Sequence, residues 1–171
     1  MDMQPKVLNR PRVQKWCVPA KSHRMDIRFA KKEDLPQIIE LCREHAAYEG
    51  TEYDSVNKIE LLSEFVFGQD QVLKCLVVEQ INSIAGYATF MTQFSTWDAG
   101  FYLYLDCLFL RENSRGQGIG MLLIEEIKKY ALVEKCNVIQ WQTPLFNHKA
   151  ISFYQKIGGI SKTKERFCLN I

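Results

Sequence analysis

Residues Ser114 to Ile127 read SRGQGIGMLLIEEI, a glycine-rich stretch between a long apolar run and a helical pattern. Gly116, Gly118 and Gly120 stand at alternate positions directly behind Arg115. Glycine costs roughly 1 kcal/mol relative to alanine inside a helix, so this density at a helix start calls for a ligand. The dinucleotide pattern G-x-G-x-x-G fails, because the third glycine position falls on Met121 or Leu123. A Walker loop fails too, since no G-K-[ST] follows. What remains is Arg115-x-x-Gly118-x-Gly120, a short turn that aims backbone N–H groups and the positive end of the following helix at an anion. The missing side chains let phosphate oxygens approach the backbone.

Working outward, Ile119, Leu123, Ile127 and Tyr130 recur at helical spacing while Glu125, Glu126, Lys128 and Lys129 face away, which predicts a helix to about Lys135. Upstream, FYLYLDCLFL reads as a long, mostly buried strand, and VLKCLVVE and SIAGYATFMTQF as antiparallel strands around a turn from Gln80 to Ser83. IRFA is a short strand. Asp34-Leu35-Pro36 opens a helix through Ala47, with Leu35, Ile38, Ile39, Leu41, Cys42 and Ala46 on one buried stripe. A second helix spans about Asn57 to Phe67, closed by Gly68. Downstream, VIQWQT is a strand, NHKAISFYQKIG a helix with Asn147 as N-cap and Gly158 as its stop, and RFCLNI a closing strand. The order β-α-α-β-β-β-α-β-α-β predicts one three-layer α/β domain over residues 25–171.

Composition sets the outer limits. The chain has 171 residues, 47% of them hydrophobic, and a net charge of +2, which is too small to argue for nucleic acid. No apolar run approaches the roughly 20 residues of a membrane span. Residues 1–24 form a basic extension with three prolines and one acid, Asp2, and without the apolar core of a secretory signal. It reads as a tail, with a basic arm for an acidic partner as the alternative. The six cysteines are scattered, with no C-x-x-C pair, and read as reduced and structural, which favours the cytoplasm. His23, His45 and His148 form no metal pattern, so no metal is expected.

The stretch Arg115 to Gly120 resembles the acyl-coenzyme A pyrophosphate loop of the GNAT acetyltransferases, R/Q-x-x-G-x-G/A, and it lies between the expected strand and helix. Element order from Met25 onward is similar to that family as well. Within it, AAYEG, YLYLDCLFLRENSRGQGIG and NHKAISFYQKIGG resemble the spermidine/spermine (diamine) acetyltransferase group. The resemblance implies a three-layer α/β/α acyl-CoA N-acyltransferase fold with a mixed, mostly antiparallel sheet, acetyl-CoA as co-substrate, a small primary amine as acceptor, and a homodimer. It implies that Leu108, Phe109 and Leu110 hydrogen-bond the pantetheine arm. The amides of Arg115, Gly116, Gln117, Gly118, Ile119 and Gly120 would hold the pyrophosphate, and Asn147 and Tyr154 would flank the thioester.

Residue by residue, Tyr154 is either part of a helix's buried stripe or, as the resemblance implies, the acid that protonates the departing thiolate. Asp106 interrupts an apolar strand, and an unpaired buried carboxylate costs several kcal/mol, so it faces either solvent where the sheet splays or a site that receives a cation. The resemblance makes it the group that binds or deprotonates the amine, with Tyr48 and Glu49 on the substrate side. Cys107 stands where the diamine group has a second acid, which weakens the expectation of a polyamine and leaves acetyl transfer untouched. The rival readings are a protein or peptide acetyltransferase acting on lysines or N-termini, a non-catalytic acyl-CoA sensor, and a nucleic-acid-binding domain without supporting motif.

Overall fold

The computed structural model describes residues 25–69, 71–81 and 83–171; the basic extension, residues 1–24, lies outside the described residues. The chain runs β1 (Met25–Phe29), α1 (Leu35–Tyr48), α2 (Lys58–Phe67), β2 (Lys74–Gln80), β3 (Ser83–Ser95), β4 (Gly100–Leu110), α3 (Ile119–Val133), β5 (Ile139–Gln140) and α4 (His148–Lys156). The strands form one five-stranded sheet in the order β1-β2-β3-β4-β5, antiparallel except for the β4–β5 pair.

Alternation in β2 explains why the domain has three layers. Cys75 and Val77 face one side of the sheet, where they pack with Ile38 and Leu41 of α1 and Val66 of α2. Leu76 and Val78 face the other, against Leu123, Ile124 and Ile127 of α3 and, further out, Phe153 of α4. All four are buried, so this strand reads as a continuous apolar run covered on both faces. In α1 the expected stripe holds: Leu35, Ile38, Ile39 and Leu41 are buried, with Cys42 and Ala46 half-buried.

Two ion-pair clusters tie the first helix to the sheet. Arg28 of β1 bridges Asp34, at the start of α1, and Glu79 of β2, each at 2.7 Å. Asp34 is buried, and its carboxylate also accepts the Lys31 N–H at 2.7 Å. Glu44 of α1 takes Arg111, just beyond β4, in a fork at 2.7 to 3.0 Å.

Three expectations need correction. VIQWQT, expected as a strand, pairs only at Ile139–Gln140. Helix α3 stops at Val133, short of the expected end at about Lys135, because Lys135 turns into the left-handed region at φ 58°. RFCLNI forms no strand: residues 160–171 carry no regular structure, and Phe167, Leu169 and Ile171 are exposed. Alternating apolar residues specify a strand only where an edge exists to pair with, and β5 is two residues long.

Candidate active site

The site begins with an irregularity in β4. Thr89 of β3 pairs with Cys107, but the next residue, Phe90, pairs with Leu105, so Asp106 is the extra residue of a β-bulge. The bulge switches the side-chain alternation: Leu103 and Leu105 point into the α3 core, whereas Cys107 and Phe109 point toward α1. It also removes Asp106 from the buried rows. Its carboxylate is exposed and accepts the Thr89 hydroxyl at 3.3 Å. Beside the bulge the sheet opens, because β5 pairs with β4 only at Leu103 and Tyr104. From Leu105 onward the outer edge of β4 has no strand partner among the described residues. The Leu108, Phe109 and Leu110 side chains are taken up by packing, so only their backbone faces that edge.

At the end of this open edge the chain turns through the glycine loop. Gly116 and Gly118 adopt φ of 74° and 81°, a conformation in which a β-carbon is strained, and Gly118 caps α3. Among the described residues the amides of residues 116–118 have no internal backbone acceptor, and they lead into the free N–H groups of the first turn of α3. Successive amides in this conformation form an anion-binding concavity. Gln117 steadies the loop by donating to the Asn113 carbonyl at 2.8 Å, and the buried Ser114 donates to the Gln80 side chain at 3.3 Å. Gly120 is also constrained by packing: a β-carbon there would meet the Phe153 ring at 3.2 Å, so its bareness lets α4 sit against α3. Ile119 is buried in the core.

Arg115 folds back, donating from Nε to the Leu110 carbonyl at 2.7 Å while its guanidinium lies 4.4 Å above the Tyr48 ring. Tyr48 in turn donates to Asn147 Oδ1 at 3.3 Å, joining the end of α1 to the start of α4 across the opening. The same Asn147 oxygen accepts the Ala150 N–H, the N-cap expected of it. One turn further, Tyr154 packs on Trp141 with ring centroids 5.0 Å apart. Burial first, then the nearby Glu49 and Cys107 side chains, push its phenol up to about 12.

Toward α1 and α2 the bulge opens into a cavity of about 410 Å³ that Asp106, Cys107 and Glu49 line together. Tyr154 lies outside that lining. Several groups here carried no signal that singled them out. His45 stacks on Phe109 at 5.0 Å, places Nδ1 3.2 Å from the Tyr87 hydroxyl and Nε2 3.4 Å from Glu49. Burial holds its pKa below the ordinary 6.5, against the raising effect of Glu49, so the imidazole is neutral at physiological pH. Cys107 is pushed up to about 12, chiefly by burial and then by Asp106, and stays a thiol. Lys58 also lines the cavity. A legible signal existed for it: a cation at the first position of a helix opposes the helix dipole. Among the described residues no group of three or more His, Cys, Asp or Glu side chains is arranged to hold a metal ion. No described helix is long and apolar enough to cross a membrane.

Comparison with known proteins bears on this arrangement. The profile of the acetyltransferase (GNAT) family matches residues 34–159. Thialysine N-epsilon-acetyltransferase of Bos taurus is 30% identical over 146 residues, which cover 81% of this chain and 85% of that one. Human spermidine/spermine N(1)-acetyltransferase-like protein 1 is 25% identical over 81% of this chain, a match that takes in 21% of that longer protein. Solved structures share the fold. A transcriptional regulator from Bacillus halodurans superposes with a TM-score of 0.73 at 20% identity, over 86% of this chain and all of its own. An aminoglycoside acetyltransferase from an uncultured soil sample, in complex with sisomicin, superposes with a TM-score of 0.73 at 20% identity, over 86% and 96% of the two chains.

Proposed function

The chain belongs to the acetyltransferase (GNAT) family, and from that premise we propose that it moves an acetyl group from acetyl-CoA to a small primary amine by direct attack in a ternary complex. The observation that carries this reading is the unpaired edge of β4, which starts beside the bulged Asp106 and leads to the free amides of residues 116–118, with the phenol of Tyr154 near enough to Glu49 and Cys107 to be shifted by them. Acetyl-CoA supplies the activated thioester. The loop from Arg115 to Gly120 holds its pyrophosphate on backbone amides, and the unpaired edge of β4 at Leu108 to Leu110 hydrogen-bonds its pantetheine arm, with Asn147 beside it.

An alkyl ammonium has a pKa near 10 and no lone pair to attack with, so the site must first take a proton. Asp106 accepts it, with Glu49 and the neutral His45 offering a route outward and Tyr48 closing the substrate side. A backbone amide of the bulged segment stabilises the oxyanion as the amine adds. Tyr154 then returns a proton to the departing sulfur. Its high pKa guarantees that the proton is present. Transfer to a thiolate of pKa near 8.5 is uphill by about 5 kcal/mol, so collapse of the adduct, and not the phenol's acidity, must drive the step. Cys107, held as a thiol, forms no covalent intermediate. We place the reaction in the cytoplasm, in a homodimer; the exposed alternation of Phe167, Leu169 and Ile171 is apolar surface of the kind a second copy covers.

Initial rates measured while acetyl-CoA and the amine are both varied test the mechanism. Direct attack predicts intersecting double-reciprocal lines. Parallel lines would contradict it and point to an acetylated enzyme.

A further inference from the structure

We propose that the acceptor amine also carries a carboxylate, as an amino acid does, and that Lys58 binds that carboxylate. The inference deepens the acetyl-transfer reading and rests on it. The cavity beside the bulge is bipolar. Asp106 and Glu49 line it, and so does Lys58, whose Nζ lies 3.7 Å from the centre of the Tyr53 ring. No carboxylate pairs with Lys58 among the described residues. Tyr53, Cys42, Tyr87 and Cys107, the neighbour of Asp106, line the cavity between Lys58 and the bulge.

A cavity meant for a plain diamine or polyamine gains nothing from a cation in its wall. Like charge repels such a substrate, and Lys58 weakens the pull that the two acids exert on it. The lysine also stands where the helix itself disfavours it, at the first residue of α2, behind Asn57 at φ 58°. Local rules of this kind are broken most often at functional sites. A zwitterionic amine satisfies both ends of the cavity: the ammonium faces Asp106 and Glu49, and the carboxylate takes a charge-assisted hydrogen bond from Lys58.

Two substrate pairs that differ only in the α-carboxylate test this: L-lysine against cadaverine, and L-ornithine against putrescine. Wild-type kcat/KM should favour the carboxylated member of each pair by roughly tenfold or more. In Lys58→Met the KM for the amino acids should rise about tenfold while kcat/KM for the diamines rises, so the two classes move in opposite directions. Lys58→Arg should restore the preference. A preference for the diamines in wild type, or a ratio indifferent to residue 58, overturns the inference alone. Absence of turnover on every member overturns the acetyl-transfer reading and this inference with it.

Discussion

Tyr154 packs against Trp141, and burial raises its phenol above the ordinary value of 10, so the hydroxyl proposed as the acid is protonated at neutral pH and is a weaker acid than a free phenol. Replacing it with phenylalanine retains the ring packing and removes only the hydroxyl. Turnover in Tyr154→Phe should therefore fall roughly a hundredfold, while the dissociation constant for acetyl-CoA, read by calorimetry, changes by less than about twofold. Equal losses in both would assign the residue to binding. From sequence, Tyr154 had two readings, core or catalyst; the structure shows the packing, against Trp141 and Phe153, and the catalytic reading is the one this variant tests. Asp106 was legible as an anomaly, because a carboxylate in an apolar strand needs a reason. That its reason is a bulge was not legible, since a bulge is defined by the register with Thr89 and Phe90 on another strand. His45 and Lys58 gain their meaning only from neighbours distant in the chain.

At the scale of elements, the loop into α3 separates two uses of glycine that look alike in sequence. Gly118→Ala forces a β-carbon into φ of 81°, which should destabilise the protein by about 1–2 kcal/mol and weaken acetyl-CoA binding by distorting the amides. Gly120→Val should leave those amides in place but push on Phe153, lowering the thermal midpoint through overpacking of about 1–3 kcal/mol. Phe153→Leu should recover part of that loss, and thermal melts of the two single variants and the double variant measure the coupling. If Gly120→Val is silent, the contact does not govern how α4 sits. The helices and the three long strands were readable because each has a one-dimensional period, and Asn147 and Gly158 punctuated α4 as written. The closing strand was misread because its period is local while its partner is not. Ion pairs such as Arg111 with Glu44 leave no periodic trace either, so the clamp between α1 and β4 came only from the structure.

For the whole molecule, two buried groups set how stability responds to acid. Burial would raise the Asp34 carboxyl, but hydrogen bonds from Arg28 and the Lys31 amide outweigh it and hold the group below its ordinary 3.8. His45 is held below 6.5. In both cases the unfolded chain binds a proton that the folded chain refuses, so stability is full above the unfolded value and is lost as pH falls. Chemical denaturation should show a first decline below about pH 6.5, absent in His45→Gln, and a second below about pH 4, absent in Asp34→Asn. Stability that stays flat between pH 7 and 5 in wild type would remove His45 from that role. Of the two, only His45 lines the cavity beside the bulge, so its protonation bears on both folding and the site. The most direct test of the account as a whole is the release of free thiol from acetyl-CoA by the purified protein, with and without primary amines. The account predicts release that depends on the amine and yields a product heavier by one acetyl group. Tight acetyl-CoA binding with no amine-dependent release, or no binding at all, would contradict it.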